Sequence, residues 1–185
     1  MIDDLLKDAG ERMAKSVEST RGEFGTVRTG RAAPSLLDRV TVDYYGTPTP
    51  LNQLATVSVP EARLLTVQPF DISALDDIER GIVAADLGIT PGNDGKTIRI
   101  SIPELTEERR RELVKQAKGI AEDGRIAIRN IRRDVMHDLR QLKEEGEVGS
   151  DEEHRAEEAL QKLTDDNIGQ LDEALARKES EILEV

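Results

Sequence analysis

The chain has 185 residues, no cysteine, no tryptophan, 35% charged residues and a net charge of −12. Without cysteine there is no disulfide, no thiolate metal site and no thiol nucleophile. Aromatics are 2% of the chain (Phe24, Tyr44, Tyr45 and Phe70), so ring stacking is a poor main mode of any RNA recognition.

A hydrophobic fraction of 37% suits long helices with one buried stripe better than a thick central core. The N-terminus, MIDDLLKDAGERMAK, is charged throughout and lacks the apolar run of an export signal. No segment approaches the ~18 apolar residues of a membrane span. The expectation is a soluble, cytoplasmic protein with no membrane association.

Ile2 to about Thr29 reads as a first helix. Leu5, Ala9, Met13, Ser16, Val17, Thr20, Phe24 and Val27 recur at steps of three and four. Gly10, Gly22 and Gly25 weaken it, each by roughly 1 kcal/mol against alanine, so packing must compensate. Gly30 can end the helix in a left-handed conformation, and Pro34 discourages resumption.

From Leu36 the period changes. Arg39 to Tyr45 alternates and is rich in β-branched residues, which predicts a strand. Gly46 to Pro50 reads as a turn or edge segment, because neither proline can donate to a ladder. Thr56–Val59, stopped by Pro60, and Leu64–Gln68, stopped by Pro69, read as further strands. Asp71 opens a helix through about Ala85, closed by Gly88. Ile89 and Thr90 are a candidate strand start. Asn93-Asp94-Gly95 is a hairpin turn, and Thr97–Ile102, ended by Pro103, is the last strand. Residues 31–104 thus form a small β/α/β module inserted between helices.

Thr106 to Glu145 reads as one helix, ~60 Å long at ~1.5 Å per residue, too long to stand without partners. Placed at about 100° per residue, Leu113, Ala117, Ile120, Gly124, Ala127, Ile131 and Leu142 fall opposite Arg129. Arg111, Lys115, Lys118, Arg125, Arg129, Arg132 and Arg133 share the other side. Ser150 and Glu153 predict a capping box. The helix after it carries Ala156, Leu160, Leu163, Ile168, Leu171, Leu175, Ile182 and Leu183 on its apolar face. Three amphipathic helices, residues 1–30 and 105–185, make an antiparallel three-helix bundle. The fold class is therefore α+β. Two chain crossings between bundle and module, near Gly30 and near Pro103, are a hinge candidate.

The charge is unevenly spread. Residues 105–133 carry +4, whereas residues 1–30, 31–104 and 134–185 carry −1, −4 and −11. A basic patch, and not net charge, is what binds phosphate. Helix cations are ordinarily a solvated face paired with acids four residues away. Between Arg125 and Arg133, however, there is no acid at all. Most of the cations are arginines, whose planar fork suits phosphate. RNA backbone is a natural partner. A helical adaptor that binds another protein's acidic face is the other reading.

Enzyme chemistry has little to stand on. Gly92-Asn93-Asp94-Gly95-Lys96-Thr97 echoes the end of a nucleotide loop, but that loop needs a glycine where Thr90 stands and a helix after the lysine. Asp151-Glu152-Glu153-His154 could offer metal ligands, yet acids at a helix start are ordinary. His137 is isolated within its helix. No catalytic, metal or cofactor residue is assigned.

Six segments, in order, resemble bacterial ribosome recycling factors: Arg28-Thr29-Gly30-Arg31-Ala32, Tyr44-Tyr45-Gly46-Thr47-Pro48, Asp86-Leu87-Gly88, Asn93-Asp94-Gly95, Leu105-Thr106-Glu107-Glu108-Arg109-Arg110, and Ile128-Arg129-Asn130-Ile131-Arg132-Arg133. The resemblance implies an L-shaped, non-enzymatic monomer with a flexible hinge. It implies binding to large-subunit rRNA of the post-termination ribosome. It also implies subunit splitting with elongation factor G and GTP, the nucleotide belonging to the elongation factor, with release of mRNA and tRNA. The family's rRNA-facing arginines would map onto Arg28, Arg31, Arg110, Arg129, Arg132 and Arg133. Its hinge would map onto Thr29, Gly30 and Arg31 and onto Pro103, Glu104 and Leu105. Arg110 lies off the cation row by angle, so its place rests on the resemblance alone.

Overall fold

Alternating patterns of period 3.6 and period 2 become, in the computed structural model, two compact units: Met1–Arg28 with Glu107–Glu184, and Thr29–Thr106. Residues 1–184 are described.

The first unit holds α1 (Ile2–Thr26), α3 (Glu107–Glu144) and α4 (Ser150–Leu183). Each packs against the other two. Arg12 meets Asp134, and Gly124 lies against Thr20, so α1 and α3 run antiparallel. Arg125 meets Asp172 and Lys143 meets Glu153, so α3 and α4 do too. Helix α1 ends at Thr26, three residues short of the expected end, with Val27 already extended.

Eight residues of α3 are buried: Leu113, Ala117, Ala121, Gly124, Ile128, Ile131, Val135 and Leu139. Ile120, Ala127 and Leu142, expected in the stripe, are only half-buried. The arc is centred roughly 120° from Arg129 at about 100° per residue. Two partner helices flank α3, and their combined contact sets the arc. On α4, Thr164 and Asn167 occupy core positions, Leu163, Ile168 and Leu175 are half-buried, and Leu183 is exposed. The polar pair is satisfied within its own helix: Thr164 Oγ1 donates to Leu160 O at 2.8 Å and Asn167 Nδ2 to Leu163 O at 2.7 Å. Buried polar groups are tolerated on that condition.

The predicted capping box is displaced by one residue. Gly149 is the cap, and its N–H donates to Glu152 at 3.2 Å. Glu153 instead turns inward, is buried, and is engaged by Lys143. A buried carboxylate needs such a partner.

In the second unit, β1 (Thr41–Tyr44) and β2 (Thr47–Pro50) form a hairpin. Tyr45 and Gly46 both have positive φ, 49° and 79°, as a primed two-residue turn requires. The main sheet, all antiparallel, has the order β3 (Ala55–Glu61), β4 (Leu64–Pro69), β6 (Ile98–Ser101), β5 (Pro91–Asn93). Strand β3 continues through Pro60, the expected stop, because the register already shifts between Ser58 and Glu61. Asp71 accepts from Ser73 N at 3.0 Å and starts a 3-10 turn that leads into α2 (Leu75–Ala84). Leu65, Val67, Ile78, Ile82, Ile98 and Ile100 are fully buried between this helix and the sheets.

Candidate nucleic-acid interface

Arginines from 125 to 133 lack acids within their own stretch of sequence, which predicts a row of mutually repelling charges. Partners from elsewhere break that row. Arg125 donates to Asp172 Oδ1 on α4 through Nε at 2.9 Å and Nη2 at 2.7 Å, and to Glu122 at 3.1 Å. Burial opposes its charge, but these two carboxylates prevail and hold its pKa above the ordinary arginine value. Glu122 also reaches Arg129, more loosely, at 3.5 Å.

Arg132 and Arg133 have no ion-pair or hydrogen-bond partner among the described residues. Arg129, Arg132 and Arg133 therefore form one cluster within about a turn of α3, with Arg129 and Arg133 exposed and Arg132 half-exposed. Sparse neutralisation on a rigid helix is what a phosphate contact needs. The remaining arginines assigned by resemblance lie elsewhere. Arg110 is half-buried, with its Nε fully buried, ~28 Å along α3 from Arg129 at ~1.5 Å per residue. Its angle, close to that of the buried stripe, accounts for this. Arg28 is exposed beyond the end of α1. Arg31 is exposed in the sheet unit.

Thr29 is buried and Gly30 has φ +75°. A Cβ on Gly30 would stand 2.9 Å from Leu105 Cγ. The two crossings of the chain are thus in direct contact, and only glycine fits there. Glu104 pairs with Arg63 at 3.0 Å.

The hairpin at Asn93–Thr97 is closed to phosphate. Asp94 Oδ1 accepts from Lys96 N at 3.0 Å and from Thr97 N at 2.8 Å. These two hydrogen bonds hold the Asp94 carboxyl below its ordinary range. The backbone donors that would cradle an anion already hold one. Among the described residues there is no cluster of acids or histidines able to hold a metal, and no helix long and apolar enough to cross a membrane. His154 contacts Glu158 at 3.3 Å.

One missed feature is the neutralisation of Arg125. Its only sequence signal was the acidity of α4, with no indication of which acid faces α3.

A family model described as ribosome recycling factor matches residues 20–183. A ribosome-recycling factor of Rubrobacter xylanophilus is 54% identical over 180 residues, covering 97% of each chain. That of Halalkalibacterium halodurans is 55% identical over all of both chains. Among solved structures, a solution structure of a ribosome recycling factor aligns with TM-score 0.69 and 39% identity over 100% of this chain and 98% of that one. A second, at TM-score 0.61 and 45% identity over 99% of each chain, is the T. thermophilus factor with E. coli elongation factor G on the E. coli post-termination complex. The relatives match 97% or more of the chain and the family model takes in the end of α1, the sheet unit, α3 and α4; this chain belongs to the ribosome recycling factor family.

Proposed function

We propose that the chain is a non-enzymatic, cytoplasmic translation factor. It binds the post-termination ribosome and, with elongation factor G and GTP, splits the subunits and frees mRNA and tRNA. The observation that carries this reading is the Arg129, Arg132 and Arg133 cluster on a stiff, well-packed helix, in a chain of this family. Arg132 and Arg133 are without an ion-pair partner among the described residues, and Arg129 is held only loosely by Glu122 at 3.5 Å, so all three can take rRNA phosphates; Arg28, Arg31 and Arg110 add further contacts.

The bundle acts as the lever. Thr29, Gly30, Arg31, Pro103, Glu104 and Leu105 are the candidate hinge, through which the sheet unit turns when the elongation factor pushes it; the contact of Gly30 with Leu105, which brings the two chain crossings side by side, supports that reading. GTP belongs to the elongation factor, and the occupied hairpin at Asp94 fits that division of labour.

A subunit-splitting assay with post-termination ribosomes tests the reading. Splitting that needs this protein, elongation factor G and GTP together supports it. Absence of co-sedimentation with ribosomal subunits, alongside capture of a protein partner, would favour the helical adaptor.

A further inference from the structure

We infer that a groove at the α3 start and the α4 end holds one unstacked RNA nucleotide, as a second RNA contact apart from the arginine cluster. The inference rests on the ribosome-binding reading above. Arg110, Arg111, Val114, Lys115, Lys118 and Leu183 line a cavity of about 460 Å³. That falls within the ~300–1,000 Å³ of small-molecule clefts.

Its floor and its rim differ in chemistry. Leu183 is 61% exposed, next to the fully buried Ile182. A leucine so exposed does no work in the bundle core. Beside it lies the half-buried Val114. Around this apolar floor stand four cations. Glu107, the acid on the rim, is engaged by Arg111. Nearby Glu112 serves Arg109, and Glu122 serves Arg125 and Arg129. Lys115 and Lys118 have no ion-pair or hydrogen-bond partner among the described residues. Two unneutralised lysines beside a leucine that is 61% exposed are costly unless a ligand covers both features.

That ligand needs a flat apolar face with negative charge at its edge. A nucleotide has both: its base covers Leu183 and Val114, and its phosphate meets Lys115 and Lys118. The nucleotide must be unstacked, since a paired and stacked base offers no face. RNA is favoured over a free amphiphilic anion by continuity. Lys115 and Lys118 share the helix direction of Arg129, with Lys118 ~16 Å away along the axis. Arg125, neutralised by Asp172, separates the two contacts.

The test uses full-length protein with labelled valine and leucine methyls. AMP, GMP, CMP and UMP are titrated separately, with inorganic phosphate and decanoate as other probes. At least one monophosphate should shift the Val114 and Leu183 signals at millimolar concentration, while phosphate alone should not. Lys115→Gln combined with Lys118→Gln should weaken that binding about tenfold, whereas Arg132→Ala should leave it unchanged. Leu183→Ser should lower affinity for large ribosomal subunits roughly fivefold or more without lowering the melting temperature. Methyls silent to all four monophosphates, or shifted equally by phosphate or decanoate, overturn the inference. If wild type binds subunits normally while the methyls stay silent, only the groove is lost. If wild type fails to bind subunits, the translation-factor reading falls and takes this inference with it.

Discussion

Arg125 on α3 reaches a single carboxylate oxygen of Asp172 on α4 through two of its nitrogens, at 2.9 and 2.7 Å. This pair divides the cations of α3 into two groups. It also ties Arg125, unlike Arg132 and Arg133, to a carboxylate of another helix. With its side chain 21% exposed, the pair is partly shielded from water. Arg125→Ala should therefore cost stability, on the order of 1 kcal/mol, and leave ribosome affinity nearly unchanged. Urea unfolding and subunit binding at fixed salt separate the two effects. A large loss of affinity without a loss of stability would return Arg125 to the RNA-binding group.

Arg132 and Arg129 should behave in the opposite way. Each alanine substitution should weaken subunit binding while the melting temperature holds, because neither side chain supports the core. Each should also make the log–log dependence of affinity on salt shallower by about 1, as expected for one lost phosphate contact. Wild-type affinity for Arg132→Ala would remove that residue from the interface.

Helix glycines offer a contrast within one element. A Cβ at Gly124 would stand 2.5 Å from both Leu171 Cδ1 and Thr20 Oγ1, whereas at Gly119 it would meet nothing within 4 Å. Gly119→Ala should stabilise the protein by up to about 1 kcal/mol through helix propensity. Gly124→Ala should destabilise it by roughly 1–3 kcal/mol, because overpacking outweighs that gain. Chemical denaturation of both variants measures the difference; equal effects would mean that the three helices are not this close at Gly124.

At the hairpin of the sheet unit, Asp94 has its pKa lowered by accepting hydrogen bonds from Thr97 N and Lys96 N. A carboxyl depressed on folding adds stability above its unfolded pKa and loses it as pH falls through the folded one. The window lies below about pH 4. Asp94→Ala should destabilise the protein at neutral pH and flatten the acid limb of its stability curve. Stability measured between neutral pH and pH 3 checks both; an unchanged acid limb would mean the two bonds are not formed in solution.

Much of the fold was legible in the chain. The helices follow from apolar steps of three and four, and the sheet unit from β-branched alternation between Gly30 and Pro103. Local chemistry was less exact at ends. The cap moved from Ser150 to Gly149 because Glu152, and not Glu153, reaches back to the chain. Glu153 had to turn inward to Lys143, and no local pattern announces that.

Sequence by itself determined the three amphipathic helices, the inserted unit, the basic block in an acidic chain and the family. Those rest on local periodicity, on composition and on ordered motifs, all of which are written along the chain. Tertiary structure alone decided the centre of the buried arc of α3, the close approach at Gly124, the neutralisation of Arg125 and the half-burial of Arg110. Each depends on which residue of another helix stands opposite, and that is set by the packing angle and register of helices distant in sequence. The spacing of charges on α3 could show that cations gather there, but only the position of Asp172 shows that Arg125 is neutralised from another helix.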